Sequence, residues 1–246
     1  MEFNVHKIDW TEEKVKNFWN FHNNYPAFEN LWFSKQVGRE IISFTRKFVE
    51  IKGAVLDYGI GKGHLTGYLM ESDNIELYGC DFSDDTVVNV NRQFQSQSGF
   101  KGCSLVKGFP SSFREGQFDI VFLIEAIEHL TDDYLLPTIE EIRRVLKPGG
   151  SVIVTTPNDE DLDLQDVICP DCGCVFHRVQ HVRSFNTDSL GGLMQSFQFE
   201  KTFCGAVNFG DYKGKVLLKK IRNALRPLIG SDYKAPHLVY IGKKAQ

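Results

Sequence analysis

Val55-Leu56-Asp57-Tyr58-Gly59-Ile60-Gly61-Lys62-Gly63-His64 joins a short apolar run to a loop with glycine at every second position. The run reads as a buried strand. The glycines allow a sharp turn that brings backbone against a ligand. A dinucleotide-binding loop would need glycines at 59, 61 and 64, and position 64 is His64. Asp57 at the strand end suits an ammonium group better than a pyrophosphate. Leu77-Tyr78-Gly79-Cys80-Asp81-Phe82 ends a second strand on another carboxylate, and Asp81 is suited to accept bonds from both hydroxyls of a ribose. The ligand implied has a ribose and an amine and no phosphate requirement.

Working outward, short apolar runs with strand character occur at Ala54 to Leu56, Ile75 to Gly79, Leu105 and Val106, Phe118 to Ile124, and Ser151 to Thr155. Helical stretches separate them, and this alternation predicts an α/β fold with a parallel sheet covered on both faces. Before them, residues 11 to 50 are rich in aromatics, and two helices are expected there, the second from about Asn30 to Phe48. After Pro157 an acidic loop (Asp159, Glu160, Asp161, Asp163, Asp166) leads into a segment of cysteines and histidines, which reads as an insertion over 158–186. A helix near Thr187 to Phe197, a strand near Phe199 to Val207 and a last strand at His237 to Gly242 resume the pattern. No repeats or low-complexity tracts interrupt it.

The 246 residues, 42% hydrophobic and 24% charged, have ordinary globular composition. They suffice for one α/β domain with decorations. No apolar run has the roughly 18 residues of a spanning helix, and Met1 to Trp10 lacks the order of a signal peptide, so a cytoplasmic location is expected. Six cysteines, three of them between Cys169 and Cys174, suggest metal binding in a reducing compartment rather than a disulfide framework. A net charge of -4 makes a long nucleic acid an unfavoured partner.

The glycine loop and Asp81, with Phe118-Asp119-Ile120-Val121, Glu128-His129-Leu130, Leu146-Lys147-Pro148-Gly149-Gly150 and Thr156-Pro157-Asn158, resemble the class I S-adenosylmethionine-dependent methyltransferases, in particular the bacterial type 11 and type 12 branch. The resemblance runs from about Lys52 to the C-terminus. It implies a Rossmann-like, doubly wound sheet of seven strands, the last antiparallel, in a methyltransferase domain over 51–246. It further implies an N-terminal helical lid over 1–50 and S-adenosyl-L-methionine as cofactor. Asp57, Gly59, Gly61 and Gly63 would surround the methionine moiety, Asp81 would hold the ribose and Phe82 would pack on the adenine.

For the acceptor side, Glu125, Glu128 and His129 follow the fourth parallel strand, where ligands enter open α/β sheets, and are the candidate catalytic groups. His129 is a candidate base for a hydroxyl or protonated amine. With His181, these residues also resemble the divalent-metal site of small-RNA 2'-O-methyltransferases and ubiquinone-pathway O-methyltransferases. Separately, Cys169-Pro170-Asp171-Cys172-Gly173 has zinc-knuckle spacing, and Cys169, Cys172, His177 and His181 form a candidate Cys₂His₂ zinc site. Lys213 to Arg226 holds six cations and no acid. A basic helix over 213–229 would suit an anionic membrane surface or a phosphorylated or lipid-linked acceptor.

The expected activity is O-methylation of a small hydroxylated molecule or sugar. The alternatives are N-methylation of a small amine, metal-dependent RNA 2'-O-methylation and non-catalytic S-adenosylmethionine binding.

Overall fold

The computed structural model describes residues 3–71, 74–212 and 235–245; the expected basic helix lies outside the described residues. In chain order the strands are β1 (His6–Lys7), β2 (Gly53–Tyr58), β3 (Ile75–Asp81), β4 (Phe100–Leu105) and β5 (Phe118–Ile124). They continue with β6 (Leu146–Pro157), β7 (Asp166–Ile168), β8 (Cys174–His177), β9 (Phe199–Val207) and β10 (His237–Lys244). The helices are α1 (Glu12–Asn24), α2 (Phe33–Thr45), α3 (His64–Leu69), α4 (Asp84–Phe94), α5 (Asp132–Val145) and α6 (Thr187–Ser196).

Seven strands form one sheet in the order β4-β3-β2-β5-β6-β10-β9. Pairings from β4 through β6 are parallel, and β10 runs antiparallel to both β6 and β9. The last strand of the chain is thus the antiparallel one, inserted inside β9. The chain winds outward from β2 to β4 and then returns to place β5 on the other side of β2. This reversal is where open α/β sheets bind ligands, at the carboxyl ends of the strands.

Successive residues on a strand face opposite sides, and the sequence supplies apolar residues for both. Leu56, Val121, Leu123, Val154 and Tyr240 join the core on one face with Ile139 of α5 and Leu190 and Met194 of α6. Val55, Ile120, Phe122, Ile153 and Val239 join the other with Val37 and Ile41 of α2 and Leu65 and Leu69 of α3. The edge strand β4 begins earlier than the apolar pair Leu105-Val106 suggests. It pairs only with β3, so it needs no continuous apolar run.

Helix starts follow local chemistry. Thr11 caps α1 by accepting the Lys14 N–H, with Glu12 and Glu13 in the first turn. Ser83 caps α4 ahead of Asp84 and Asp85, and Asn186 with Ser189 forms a capping box on α6. The two N-terminal helices differ in burial. None of the residues of α1 is buried, whereas α2 buries Val37, Ile41, Ile42 and Phe44 in the core. Within 1–50, then, α2 is a packed layer of the sheet, and α1 lies over its carboxyl end.

A second sheet has the order β1-β8-β7. Strands β7 and β8 form an antiparallel hairpin within the expected insertion, and β1 adds to β8 in parallel. Ile41→Ala, at a site 1% exposed, is expected to cost about 2–5 kcal/mol. Phe21→Ala on α1, at a site 54% exposed, should cost less than about 1 kcal/mol. Urea unfolding of the two variants checks this difference.

Candidate active site

The loop after β2 turns through three left-handed glycines, Gly59, Gly61 and Gly63, with φ of 76°, 51° and 73°. At Gly63 a Cβ would also lie 2.6 Å from the Phe94 ring, so a side chain is refused both by backbone conformation and by packing. Gly59 and Ile60 N–H groups donate to the Cys80 carbonyl at 2.9 and 3.0 Å, tying the loop to β3. Asp81 at the end of β3 accepts the Gly61 N–H at 3.1 Å and the Ser83 N–H at 2.9 Å. Asp57 is 3% exposed and accepts the Thr66 hydroxyl at 2.8 Å. Burial pushes its carboxyl up to about 7, with the nearby Asp81 charge adding to the effect. Phe82 remains 38% exposed, and Phe109 and Tyr134 stand 6.4 and 5.6 Å from its ring.

Helix α1 reaches across this end of the sheet. Asn23 donates to the Thr86 hydroxyl at 3.0 Å, and the Ser83 hydroxyl donates to Asn20 at 3.4 Å. Further along α1, the Trp19 ring meets His129 edge-on at 4.7 Å. The Trp19 indole N–H donates to Gln180 Oε1 at 2.8 Å. One helix therefore touches both the Asp81 side and the His129 side.

The His129 side is built on the residues after β5. Glu125 takes a left-handed φ of 46°, and its N–H donates to the Thr155 carbonyl at 3.0 Å. Burial pushes the Glu125 carboxyl up to about 8. Glu128 is 1% exposed, and neither of its carboxyl oxygens has a hydrogen-bond partner among the described residues. Burial, then the charge of Glu125, raises its pKa. His129 Nε2 lies 3.9 Å from Glu128 Oε1. Burial, then the His181 imidazole, lowers His129 to about 3, so it is neutral at pH 7.

The chain returns to this point from the small sheet. Val182 N–H donates to the Glu128 carbonyl at 3.0 Å, and Arg183 donates to the Leu130 carbonyl. These bonds bring His181 to 4.8 Å from His129, ring to ring. His177 stacks on His181 at 4.5 Å. Glu160 meets both, at 2.5 Å from His181 Nδ1 and 3.5 Å from His177 Nε2. Gln180, fully buried with a φ of 61°, donates from Nε2 to the His129 carbonyl at 3.0 Å.

Among the described residues, two groups hold ligand atoms within 4.8 Å of one another: Glu128-His129-His181 and Glu160-His177-His181. Glu125 joins neither group at that spacing. Neither group includes Cys169 or Cys172. His177 sits opposite Asp166 at the base of the β7–β8 hairpin, while Cys169 and Cys172 occupy its tip. Three residues of strand separate base from tip by roughly 10 Å. At the tip, N–H groups of Cys172 and Asp171 and the Cys172 thiol hold the half-buried Cys169 thiol below its ordinary value.

Glu160 and Gln180 are the site residues that sequence reasoning missed. Glu160 was visible only as one acid of a charged loop. Gln180 stood unremarked between two histidines.

With this geometry, the comparisons with known proteins bear on one class. Residues 56–154 match the family described as "Methyltransferase domain". That match, with the named methyltransferases among the relatives and the solved structures, supports a class I S-adenosylmethionine-dependent methyltransferase domain. This methyltransferase is 27% identical over 182 residues to the uncharacterized protein MJ0638 of Methanocaldococcus jannaschii, covering 74% of this chain and 71% of that one. It is 28% identical over 109 residues to the human tRNA N(3)-cytidine methyltransferase METTL2B, covering 41% and 28%. The ubiquinone biosynthesis O-methyltransferase of Dictyostelium discoideum is 28% identical over 114 residues, covering 42% and 35%. The chain thus spans about a third of the length of these two functionally named relatives. In fold, the methyltransferase is similar to the solved 1,6-didemethyltoxoflavin-N1-methyltransferase of Burkholderia thailandensis, with a TM-score of 0.65, 15% identity and coverage of 98% and 95%.

The raised Asp57 pKa has a consequence for stability. Between the unfolded value near 4 and the folded value of about 7, the native state binds the extra proton. Stability of the ligand-free protein therefore falls as pH rises from 4 to 7, by at most about 1.4 kcal/mol per pH unit from this group. Denaturant melts across that window should show a shallower decline in Asp57→Asn.

Proposed function

We propose that this methyltransferase transfers the methyl group of S-adenosylmethionine to an oxygen of a small hydroxylated molecule or sugar. The observation that supports it is the juxtaposition of the glycine loop with the Glu128-His129-His181 group on the neighbouring strand ends, beneath one helix.

The residues after β2 and β3 fit the cofactor. The left-handed glycines present backbone close to the space a ligand would fill, and at Gly61 an added Cβ would meet nothing nearer than Trp32 at 3.7 Å. Asp81 is held in place by two N–H donors and retains lone pairs for ribose hydroxyls. Phe82 offers an exposed ring for the adenine, and Asp57 supplies negative charge for the amine. S-adenosylmethionine supplies a methyl group on a cationic sulfur, so transfer is an in-line displacement that depends first on alignment.

On the acceptor side, His129 is neutral at pH 7 and Glu128 lies beside it. These groups present acceptor atoms that orient a hydroxyl of the acceptor. Buried Glu125 adds negative potential when ionised. The O-methyltransferase among the relatives supports an oxygen acceptor. The tRNA methyltransferase makes an RNA base the competing reading, and the same screen separates the two.

Calorimetry with S-adenosylmethionine should show Asp81→Ala binding at least tenfold more weakly, since each charge-assisted hydrogen bond contributes about 1.5–3 kcal/mol. Unchanged affinity would remove the ribose assignment. A labelled-donor screen over phenols, sugars, amines and tRNA should label a hydroxylated small molecule; label only in tRNA or amines would replace this reading.

A further inference from the structure

Gln180 is fully buried, and both ends of its side-chain amide are used. Its Oε1 accepts the indole N–H of Trp19 at 2.8 Å, across 161 positions of chain. Its Nε2 donates to the His129 carbonyl at 3.0 Å. An indole N–H only donates and a carbonyl only accepts, so these two partners settle which end of the amide is the oxygen. The backbone of the same residue adds a third contact, its carbonyl accepting from His129 Nδ1 at 3.3 Å. Residues 129 and 180 therefore hold each other reciprocally, side chain to backbone in both directions. The third contact needs the ring proton on Nδ1, which leaves a lone pair on Nε2.

Few side chains can replace this amide. An ionised glutamate has no hydrogen to donate, asparagine is one methylene shorter, and leucine or methionine offers neither bond. The backbone here has a left-handed φ of 61°, a conformation glycine takes freely and residues with side chains disfavour. A residue held in such a conformation by its surroundings is characteristic of functional sites. The Trp19 end carries the arrangement into α1, which also reaches the Asp81 side. There Asn20 and Asn23 meet the Ser83 and Thr86 hydroxyls, and the Ser83 N–H is one of the donors to Asp81.

We propose that Gln180 is a positioning residue that fixes the direction of the His129 ring and ties it to the seat of helix α1 through Trp19. The proposal rests on the reading of His129 as a group that meets the acceptor, but ring state is measured without turnover. With α1 seated, Trp19 donates to the amide oxygen and the amide nitrogen is turned toward the His129 carbonyl. The two chain segments are then held close enough for the longer 3.3 Å contact to form. When α1 lifts, Oε1 loses its donor and the amide is free to turn, so the bond to the His129 carbonyl and the Nδ1 contact weaken together. His129 thus presents Nε2 in one direction only while the helix covers the site.

The test is nuclear magnetic resonance of the full chain labelled with ¹⁵N in histidine and tryptophan, at pH 7 where His129 is neutral. Two-bond ¹H–¹⁵N spectra show which ring nitrogen is protonated, and loss of signals in His129→Gln identifies that residue. The wild type should show a single His129 form with the proton on Nδ1. Gln180→Met should convert it to a mixture of the two neutral forms. It should also lower the protection of the Trp19 indole N–H from solvent exchange by about two- to tenfold, the effect of one neutral hydrogen bond. The Val182 N–H bond to the Glu128 carbonyl persists in this variant, and the circular dichroism spectrum should stay native. Trp19→Phe keeps an aromatic ring beside His129 and removes only the donor to Gln180. It should produce the same mixture, although Trp19 makes no hydrogen bond to His129. The double variant should show no more than either single one, because the two residues act as a unit. A single Nδ1-protonated form in Gln180→Met would overturn the positioning role. A mixture in Gln180→Met with a single form in Trp19→Phe would overturn the tie to α1. If both variants behave as described and no hydroxylated compound is methylated, the positioning role stands and the acceptor reading fails.

Discussion

Strands β2 and β5 lie side by side, with Val55 opposite Ile120, Leu56 opposite Val121 and Asp57 opposite Phe122. They are separated in the chain by two strand-helix excursions, and the pairing closes the sheet where its winding direction reverses. Because both strands run the same way, their carboxyl ends emerge together. The glycine loop follows one and Glu125 to His129 follow the other. Every proposed role depends on that adjacency, which is fixed by backbone hydrogen bonds and by apolar side chains alternating between two cores.

Polar burial at the same end has a thermodynamic cost. Asp57, Glu125 and Glu128 all have raised pKa values because the fold removes water from them. A carboxyl buried for packing alone would be replaced at a gain in stability. Where several cluster beside a glycine loop, the cost is characteristic of a site that binds charge. Here the cationic groups proposed are the amine and sulfonium of the cofactor near Asp57. Helix α1 completes the enclosure with aromatic and amide contacts, while its own residues stay outside the core.

The insertion contributes by its strand geometry. In the β7–β8 hairpin the thiols of Cys169 and Cys172 are carried to the tip and His177 to the base. The chain beyond the base then runs back along the loop after β5, bonded to Glu128 and Leu130. A single short hairpin thus separates cysteines from histidines that are close in sequence. It joins those histidines to Glu128 and His129, which lie about fifty positions earlier.

Much of the fold was legible in the sequence. The runs Phe118 to Ile124 and Phe199 to Val207 correspond to strands with those limits, the first because a buried central strand needs apolar residues on both faces. The glycine spacing identified the cofactor class, because left-handed turns select glycine at particular positions. The sequence left α2 open between a lid and a core layer, since its aromatics and aliphatics suit both. The role of Glu160, one acid among five in a loop, was not legible, nor was that of Gln180. Local sequence reports backbone conformation and periodic burial, which depend on near neighbours. Whether a thiol or a carboxylate faces a histidine depends on contacts between distant segments, and only the tertiary structure decides those.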